Sequence, residues 1–413
     1  MTNIIKAQRG TKDIFGEEIL TWQWIEENAK RVFQNAGFVE IRTPVFEATE
    51  LFNRGVGDST DIVNKEMYTF SVGGKEKNET SITLRPENTA GVVRAYIEHN
   101  LNRISPPQKF WYFAPMFRYE RPQAGRQRQF NQVGVELFGI EQPTADAEVI
   151  LSATEFLKSI GLGNLEVELN TLGCPKCKAD YRNSIKEVLK PYLNELCDDC
   201  KMRYEKNPLR ILDCKNDDCK KIFEIEEVKN VILKDYICDD CAEHFDKLKN
   251  YLDTLNIKYS VNKMLVRGLD YYTRTVFEIK SSNLGSQDAV CGGGRYDGLV
   301  EMLGGTPTPA VGFAMGVERL YSLVEKKESQ KLDYFVVSND TKEAIKLVNK
   351  LRQNNKTADF DMQNRKFTRQ LEKAGKVAKY AVILGEDEIK GGFLSVKNLE
   401  SGEQNKIDFS ELI

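Results

Sequence analysis

The sequence predicts an α+β protein in which a large domain built on an antiparallel sheet precedes a smaller α/β domain. Across residues 1–325, short runs rich in β-branched and aromatic residues lie between a few helical patterns, and such runs are typical of strands. Within this region, eight of the nine cysteines lie between Cys174 and Cys241, which indicates an inserted module. Beyond residue 332, strand and helix patterns alternate, as in a small α/β domain.

Length and composition indicate a folded protein and exclude several classes. The 413 residues are 41% hydrophobic and 29% charged, which is ordinary for a globular protein and atypical of a disordered or fibrous one. No apolar run reaches the ~20 residues that span a bilayer, and the first residues lack the apolar core of a secretion signal. We therefore expect a cytoplasmic protein with no membrane partner. The net charge of −3 means that a polyanionic partner must meet a local basic surface.

The first domain begins with an amphipathic helix. Residues 17–36 place apolar side chains at three- and four-residue spacings and end before Gly37, so a helix is predicted there. A second helical pattern covers residues 147–160. Strands are predicted at FVEIRTP (38–44), KFWYFAPMF (109–117), FNQVGVELFGI (130–140) and TVFEI (275–279). These segments predict a sheet as the framework of residues 1–325.

The cysteine-rich block, residues 170–256, is charged and flanked by strand patterns, which predicts an insertion into the first domain. Its cysteines form four close pairs: Cys174 and Cys177, Cys197 and Cys200, Cys214 and Cys219, and Cys238 and Cys241. Such spacing is typical of tetrahedral zinc–thiolate sites, and eight thiols can form one or two of them. Because disulfides are disfavoured in the cytoplasm, the alternative is a set of reduced, buried thiols. We expect structural Zn²⁺, remote from the residues that carry the chemistry.

A charged, apolar-poor stretch, KKESQKL (326–332), is typical of a linker between domains. After it, helices are predicted over 342–353 and 366–377, and strands at DYFVVS (333–338), YAVILG (380–385) and GFLSVKN (392–398). Residues 342–379 contain 11 Lys or Arg against 4 Asp or Glu. Such a local excess is compatible with an RNA-binding surface, although a solvated helix face is the simpler explanation for any one of these residues.

The hairpin predicted over residues 109–140 carries an unusual polar face. Strict alternation in its second strand puts Gln132, Gly134 and Glu136 on the face opposite the apolar residues. Arg118 and Glu120 share a face of the first strand, and the connecting loop adds Arg121, Arg126 and Arg128. Guanidinium groups in this arrangement could hold a polyphosphate. On these residues alone, a solvent-facing sheet with a basic turn is equally compatible.

Five segments, in order, resemble the motifs of one known family. FRYERPQAGRQRQFNQVGVELFG (117–139) resembles motif 2 of class II aminoacyl-tRNA synthetases in the form found in histidyl-tRNA synthetases. The others resemble that family's substrate-binding segment, its two histidine-specific signatures and motif 3: TLRPENTA (83–90), LVRGLDYYTRTVFEI (265–279), CGGGRYDGLV (291–300) and AVGFAMGVERL (310–320). The resemblance implies a class II antiparallel-sheet catalytic core over 1–325, interrupted by an insertion domain over 170–256. It also implies an α/β anticodon-binding domain over 333–413.

The resemblance implies an ATP site at five positions: Arg118, Glu120, Arg126, Phe130 and Arg319. Arg118 is similar to the family's α-phosphate ligand, a role that suits a planar, permanently charged group. Phe130 and Arg319 are similar to the pair that holds adenine between an aromatic ring and a guanidinium. Arg267 is similar to an additional arginine near the α-phosphate, so Arg118 and Arg267 are the expected catalytic residues.

The resemblance also implies a histidine site at eight positions: Glu87, Asn88, Thr89, Gln132, Glu136, Arg267, Tyr271 and Tyr272. Glu87 can accept a hydrogen bond from the α-ammonium group, while Glu136 and a tyrosine hydroxyl can pair both imidazole nitrogens. Pairing both nitrogens makes discrimination strong, because an isostere would leave buried polar groups unpaired. Without the motif around them, adjacent tyrosines would more often be core residues.

The activity implied by the resemblance is ATP-dependent ligation of L-histidine to tRNA(His) through a histidyl-adenylate, with Mg²⁺ accompanying ATP. The resemblance also implies a homodimer whose interface is lined by motif 1, roughly residues 37–46 with the preceding helix. One alternative is a non-catalytic paralogue that regulates histidine biosynthesis, which is expected to lack the anticodon-binding domain and to have an eroded motif 2 or 3. The other is a zinc-dependent RNA-binding module, which would not need Arg118, Arg267 and Arg319. The intact motifs favour the ligase.

Overall fold

The computed structural model describes residues 4–57, 60, 62–72, 80–122, 126–281, 289–409 and 411–412, and the chain divides into two compact units, Met1–Lys327 and Glu328–Ile413. The helices of the first unit are α1 (Glu17–Asn35), α2 (Thr49–Val56), α3 (Thr89–Glu98), α4 (Pro143–Ser159), α5 (Pro175–Leu189), α6 (Asp198–Lys206), α7 (Asp217–Phe223), α8 (Glu226–Leu233), α9 (Asp239–Thr254), α10 (Leu299–Met302) and α11 (Val317–Leu323). Its strands are β1 (Val39–Glu40), β2 (Phe46–Ala48), β3 (Tyr68–Val72), β4 (Thr80–Leu84), β5 (Gln108–Phe117), β6 (Gln129–Phe138), β7 (Leu165–Thr171), β8 (Tyr259–Val261), β9 (Thr273–Ser281), β10 (Ala289–Arg295) and β11 (Ala310–Gly316).

The main sheet of the first unit has the strand order β1-β5-β6-β11-β10-β9-β7-β8. From β5 to β7 all neighbours are antiparallel, while β1 and β8 join the two edges in parallel. In the pairing of β5 with β6, Tyr112 lies opposite Gly134 and Phe110 lies opposite Glu136. Directly opposed residues of an antiparallel pair share one face of the sheet. The predicted α+β fold with an antiparallel sheet is confirmed.

Helices α1 and α4 cover one face of this sheet. The buried residues of α1 recur every three or four positions, at Trp22, Ile25, Ala29 and Phe33, as an amphipathic helix requires. They belong to one hydrophobic core with Val133, Val135 and Leu137 of β6. Since this face of β6 is occupied by apolar packing, the alternate residues Gln132, Gly134 and Glu136 lie on the other face.

A small second sheet, with the order β2-β4-β3, lies in the same unit. Strand β4 leads through residues 85–88 into α3, which begins at Thr89. Neither the small sheet nor α2 and α3 is predicted by the periodicity, because these elements are short and their apolar residues do not repeat regularly.

The cysteine-rich insertion is helical, with α5 to α9 placed between the main-sheet strands β7 and β8. Its last helix, α9, contributes Phe245, Leu248 and Leu252 to the core that also contains α1. Another core joins Ile185 and Leu209 of the insertion to Tyr112 and Phe138 of the main sheet. The insertion is therefore part of the first compact unit, because shared apolar packing joins it to the sheet.

The second unit contains helices α12 (Thr341–Gln353), α13 (Phe367–Val377) and α14 (Glu386–Gly391) and strands β12 (Leu332–Ser338), β13 (Ala358–Phe360), β14 (Ala378–Leu384), β15 (Phe393–Asn398) and β16 (Gln404–Asp408). Its sheet has the order β13-β12-β14-β15-β16, in which the first three strands are parallel and the rest antiparallel. The predicted α/β character is confirmed. Among the described residues of both units, no helix is both long and apolar enough to cross a bilayer.

The helices and strands predicted from long or strongly patterned segments agree with the structure. The helix predicted over 17–36 is α1, and those predicted over 342–353 and 366–377 are α12 and α13. The strand prediction at 38–44 is confirmed only for the two residues of β1. Short elements such as α14 and β16 are not predicted, since neither carries an apolar repeat.

Candidate active site

One cavity of about 420 Å³ opens on the polar face of the main sheet. Seven predicted site residues line it: Arg118, Glu120, Arg126, Phe130, Gln132, Arg267 and Arg319. They come from β5, β6, the segment before β9 and the start of α11, so the sheet register is what brings them together. Its volume lies within the range of small-molecule sites.

Arg118 lies just beyond β5, and its guanidinium is held at the base of the cavity. Its Nε donates to the carbonyl oxygen of Pro86 at 2.8 Å, and the guanidinium lies 5.1 Å from the centre of the Phe130 ring. Glu120 is 3.9 Å from Arg118 and accepts a hydrogen bond from Arg126 at 3.2 Å. The ion pair with Glu120 is therefore long, and the remaining guanidinium donors of Arg118 can serve a ligand.

Two of the loop arginines predicted to surround a polyphosphate lie in different places. Arg126 lines the cavity, whereas the guanidinium of Arg128 lies over the ring of Tyr119, 4.2 Å from its centre. The tip of the predicted hairpin, residues 123–125, lies outside the described residues.

Phe130 and Arg319 line the same cavity from β6 and from the first turn of α11. Arg319 donates from Nη1 to the carbonyl oxygen of Ala289. The neighbouring Glu318 accepts hydrogen bonds from the backbone N–H of Asn131 at 2.9 and 3.1 Å, which joins α11 to β6. Burial raises the pKa of Glu318 to about 7. An aromatic ring and a guanidinium at one cavity suit a planar heterocycle.

Arg267 contributes a further guanidinium, paired with Glu278 of β9. Burial lowers the pKa of Arg267, but the charge of Glu278 outweighs this effect and the net pKa is raised. A Cβ on Gly292 would lie only 1.9 Å from Nη2 of Arg267, so glycine is required for this close approach. The Nε of Arg267 and the amide oxygen of Gln132 are buried without a hydrogen-bond partner among the described residues. Buried polar atoms of this kind are available for hydrogen bonds with a bound ligand.

Glu136 lies in a buried polar cluster beside the cavity and is 1% exposed. Its carboxyl oxygens accept hydrogen bonds from Thr89 at 2.7 Å, from Tyr112 at 3.5 Å and from Tyr296. Burial, despite these hydrogen bonds, raises the pKa of Glu136 to about 8. A Cβ on Gly312 would lie 1.9 Å from the carboxyl, so Gly312 leaves the space that Glu136 occupies. Glu136 can therefore be neutral or charged near physiological pH, according to its partner.

The predicted segment from Glu87 to Thr89 lies at the start of α3. The Glu87 carboxylate accepts from the backbone N–H groups of Thr89 at 2.7 Å and of Ala90 at 2.9 Å, and burial raises its pKa. Asn88 is 1% exposed, and its amide oxygen accepts from Thr43 at 2.7 Å. Glu87 and Thr89 therefore belong to the Glu136 cluster. Asn88 instead contacts Thr43.

Tyr271 and Tyr272 pack in the same cluster, with ring centroids 4.7 Å apart. Burial raises the pKa of Tyr272 to about 12, against the opposing charge of Arg267. Tyr271 also contacts the ring of Tyr296, with 5.5 Å between centroids. Five of the predicted histidine-site residues thus form a buried cluster next to the cavity, Gln132 and Arg267 line the cavity itself, and Asn88 contacts Thr43.

Sequence reasoning missed three residues at this site. Tyr296 lies within the CGGGRYDGLV segment, and Tyr112 lies opposite Gly134, so the motif and the alternation of β5 could have indicated both. Arg210 belongs to the insertion and lines the same cavity as Arg118, for which the sequence offered no signal. Arg126 of the predicted ATP site lines a second cavity together with Cys197 and Cys214 of the insertion.

The eight insertion cysteines form two clusters, and in each cluster all sulfur atoms lie within 4.8 Å of one another. The first thiol cluster is Cys174, Cys177, Cys238 and Cys241, and the second thiol cluster is Cys197, Cys200, Cys214 and Cys219. The second cluster thus lies, along the chain, between the two halves of the first. Pair spacing alone could not reveal this arrangement, because it does not determine which pairs meet in space.

The donor set and its surroundings fit tetrahedral zinc. Zn–S bonds of about 2.3 Å imply sulfur separations of about 3.8 Å. The sulfur atoms of Cys174 and Cys177 are 3.5 Å apart, and those of Cys197 and Cys214 are 3.8 Å apart. Backbone N–H groups donate to sulfur in both clusters, for example from Cys238 to Cys177 at 3.2 Å. Cys174 and Cys197 each lie at the N-cap of a helix, where the helix dipole favours thiolate.

An antiparallel sheet with this arginine-lined cavity on one face is compatible with a class II aminoacyl-tRNA synthetase, and the comparisons with known proteins show that class. The sequence matches the histidyl-tRNA synthetase family over residues 10–320 and an anticodon-binding domain over residues 328–413. The chain belongs to the histidyl-tRNA synthetase family, and its enzymatic class is histidine–tRNA ligase.

Close relatives support this membership over nearly the full chain. The histidine–tRNA ligases of Halothermothrix orenii and Caldanaerobacter subterraneus subsp. tengcongensis are 48% and 47% identical to it, over 99% of this chain and 98% of theirs. The crystal structure of the apo S. aureus histidyl-tRNA synthetase, 36% identical, superposes with a TM-score of 0.81 and covers 99% of this chain and 98% of that one.

A more distant solved structure, that of an ATP phosphoribosyltransferase regulatory subunit/histidyl-tRNA synthetase from Bacillus halodurans, is 21% identical with a TM-score of 0.67, over 93% of this chain and 100% of that one. This likeness shows a shared fold.

Proposed function

We propose that this chain activates L-histidine with ATP at the cavity described above and transfers the histidyl group to tRNA(His). The observation that carries the proposal is the convergence of Arg118, Arg267 and Arg319 on one cavity that adjoins the buried Glu136 cluster. A cavity rich in guanidinium groups suits a nucleoside triphosphate, and a neighbouring cluster of carboxyl and hydroxyl groups suits a polar side chain with two ring nitrogens.

ATP binds with its adenine between Phe130 and Arg319 and its α-phosphate at Arg118. The backbone carbonyl of Pro86 restrains Arg118, so that little reorganisation is needed when the phosphate binds. Arg126 and Glu120 lie at the mouth of the cavity, where Arg126 can cover the outer phosphates. Mg²⁺, when bound with ATP, would neutralise part of the phosphate charge. Glu120 and Glu278 line the cavity and have the carboxylate oxygens that this ion prefers.

Histidine binds with its imidazole at Glu136, Tyr271 and Tyr272. A neutral imidazole has one donor and one acceptor nitrogen, so a carboxyl group on one side and a hydroxyl on the other can satisfy both. Glu87, Thr89 and Gln132 surround the amino group, and the amide oxygen of Gln132, which has no partner in the part of the chain that the structure describes, is one acceptor. Asn88 supports this segment through Thr43.

In the first step, a histidine carboxylate oxygen attacks the α-phosphorus, the bond to the bridging oxygen of the β-phosphate breaks, and pyrophosphate leaves. Arg118 and Arg267 face the α-phosphate from two sides and stabilise the charge that develops on its oxygens. In the second step, a ribose hydroxyl at the 3′ end of the tRNA attacks the carbonyl carbon of the adenylate, and AMP leaves. No covalent intermediate with the enzyme is required.

The test of this function is charging of tRNA(His) with labelled histidine by the full chain in the presence of ATP and Mg²⁺. We expect histidyl-tRNA to accumulate with release of AMP and pyrophosphate. If the purified chain binds ATP but forms no histidyl-tRNA, the ligase function is excluded for it.

The second unit binds the anticodon region of the tRNA through the basic surface of α12 and α13. Part of its positive charge is neutralised by ion pairs, for example of Arg365 with Asp361 and of Lys346 with Glu343. The remaining excess suits a phosphate backbone.

Deleting residues 328–413 should therefore separate the two steps. Histidine-dependent pyrophosphate exchange should persist, because the cavity lies wholly within the first unit, while charging at low tRNA concentration should fall by at least tenfold. Exchange activity serves as the control for folding. Normal charging at low tRNA concentration would contradict an RNA-binding role for the second unit.

Each thiol cluster holds one structural zinc ion, so the chain carries two. Four thiolates complete a tetrahedral site and leave no open position, which suits a structural role.

Elemental analysis should find about two zinc ions per chain in the unaltered protein. Cys174→Ser and Cys214→Ser, which each alter one cluster, should each reduce the content to about one, because the clusters share no ligand. A folded, zinc-free protein with eight titratable insertion thiols would leave only the explanation of buried thiols.

The enzyme acts as a homodimer in the cytoplasm. The predicted motif 1 segment exposes apolar side chains at Val39, Val45 and Phe46, the last of them 56% exposed, which supports an interface there. The proposed use of a nucleotide and a tRNA as substrates supports the cytoplasmic location.

A further inference from the structure

Lys178 of the insertion contacts the chain segment that carries Tyr271 and Tyr272. Lys178 lies in the first turn of α5, directly after Cys177 of the first thiol cluster. Its ammonium group donates to the backbone carbonyl oxygen of Asp270 at 2.8 Å and to that of Tyr272 at 2.9 Å. One side chain of the insertion therefore holds the backbone on both sides of Tyr271.

This segment has no regular secondary structure of its own. Residues 262–272, the tyrosine loop, lie between β8 and β9 and form neither a helix nor a strand. In such a loop the backbone carbonyl groups lack the regular partners of a helix or a sheet, and side-chain donors can take their place. An ammonium group has three donors, so it can satisfy two carbonyl oxygens at once and restrict the backbone between them. The conformation at Tyr271 and Tyr272 therefore depends on a residue from a distant part of the chain.

The two tyrosines pack closely against the other members of the Glu136 cluster. A Cβ on Gly294 would lie 2.9 Å from the ring of Tyr272, so this ring rests directly on β10. The ring of Tyr271 contacts that of Tyr296, whose hydroxyl donates to Glu136. In packing this close, a shift of the loop backbone would move both rings relative to the Glu136 carboxyl.

The start of α5 is itself fixed to the strand that follows the tyrosine loop. Backbone hydrogen bonds join Leu172 and Gly173 to Arg274 of β9, at 2.7 and 2.8 Å. A Cβ on Gly173 would lie 2.4 Å from the Cβ of Cys177, so the chain before α5 passes directly against this cysteine. Lys178 therefore extends from a fixed point. A loop that is already held in one conformation leaves less to be ordered when a ligand binds.

We infer that Lys178 is a positioning residue for the histidine site: it holds the tyrosine loop so that Tyr271 and Tyr272 lie against the Glu136 cluster before histidine binds. This inference rests on the proposed function, which assigns the imidazole to that cluster. The insertion thus contributes to amino-acid recognition through the backbone of a loop, without a side chain of its own in the histidine site.

The effect of Lys178 should be confined to histidine. Lys178 is not among the residues that line the ATP cavity. Arg267, which lies earlier in the tyrosine loop and does line that cavity, is anchored separately by its ion pair with Glu278. Loss of the ammonium group therefore loosens the two tyrosines more than it displaces Arg267.

Pyrophosphate exchange by the full chain, with histidine and ATP varied separately, provides the first test. Lys178→Met keeps the length of the side chain and removes its donors. It should raise the KM for histidine by about tenfold and leave the KM for ATP and the kcat within about twofold. Lys178→Arg keeps the charge and two or more donors, so its KM for histidine should stay within about threefold of that of the unaltered chain. Lys176→Met removes an exposed charge from the same turn and should leave all three constants unchanged.

Hydrogen–deuterium exchange of the backbone amides in the tyrosine loop provides the second test. Exchange should be faster in Lys178→Met than in the unaltered chain, and it should be unchanged in Lys176→Met. If Lys178→Met does not fold, Lys178→Gln takes its place, and the same selective rise in the KM for histidine is expected.

An unchanged KM for histidine, or unchanged amide exchange in the loop, would overturn the inference. Equal rises in the KM for histidine and for ATP, or a failure of Lys178→Arg to keep the KM for histidine low, would show that Lys178 only supports the general fold and would overturn it as well. Absence of histidine-dependent exchange in the unaltered chain would refute the proposed function. The amide exchange of the loop would even then show whether Lys178 holds it.

Discussion

Replacing Arg267 with alanine is expected to slow formation of the histidyl-adenylate by about 10²–10³-fold while changing histidine affinity by less than about threefold. The reason is that negative charge on the α-phosphate oxygens grows as the carboxylate attacks, so a fixed cation contributes most in the transition state. Among the described residues the Nε of Arg267 has no hydrogen-bond partner, so its donor capacity is not exhausted by Glu278. Single-turnover rates of adenylate formation, with equilibrium binding of histidine, measure the two quantities.

The alanine variant also leaves the carboxylate of Glu278 without its partner, and this charge would repel ATP. The double variant Arg267→Ala, Glu278→Gln removes this effect and is the matched control. If the rate stays low in the double variant, the loss is due to the missing cation. If the rate recovers, Arg267 serves only to neutralise Glu278, and its catalytic assignment is wrong.

Replacing Glu136 with alanine is expected to raise the KM for histidine and to lower activation by ~10²-fold or more, with ATP affinity largely unchanged. Glu136 is buried and accepts hydrogen bonds from Thr89 and Tyr296, so its loss removes the group that we propose pairs imidazole and leaves two hydroxyls without this acceptor. Steady-state exchange kinetics with histidine varied at saturating ATP provide the measurement.

Glu136→Gln separates the role of the charge from that of the shape. The amide keeps the volume and one acceptor oxygen, but it cannot change its protonation state, whereas the raised pKa of about 8 lets Glu136 do so near neutral pH. A loss smaller than that of the alanine variant is therefore expected. An unchanged KM for histidine in both variants would remove Glu136 from the histidine site.

The sequence predicts the site residues best where regular alternation along a strand, and the order of the motifs along the chain, determine which side chains share a face of the sheet. In β6, a period of two separates Val133 and Val135 from Gln132 and Glu136, and the structure shows that separation. The amphipathic helix α1 is likewise confirmed, because its apolar spacing repeats over five turns.

What the sequence could not provide are contacts between segments far apart in the chain. Arg210 reaches the cavity only because apolar residues of the insertion pack on the main sheet, and no local pattern reports that packing. The partition of eight thiols into two nested clusters depends in the same way on how α5 meets α9. The CGGGRYDGLV segment points to Tyr296 as a site residue, but the sequence does not show that its hydroxyl contacts the carboxyl group of Glu136.

The most direct measurement of the central claim is ATP–pyrophosphate exchange by the full chain with each standard amino acid in turn. Exchange requires both the phosphate chemistry of the arginine-lined cavity and recognition by the Glu136 cluster, and it needs no tRNA. The account predicts strong exchange with L-histidine and background levels with every other amino acid. Absence of exchange with histidine, or equal exchange with another amino acid, would contradict it.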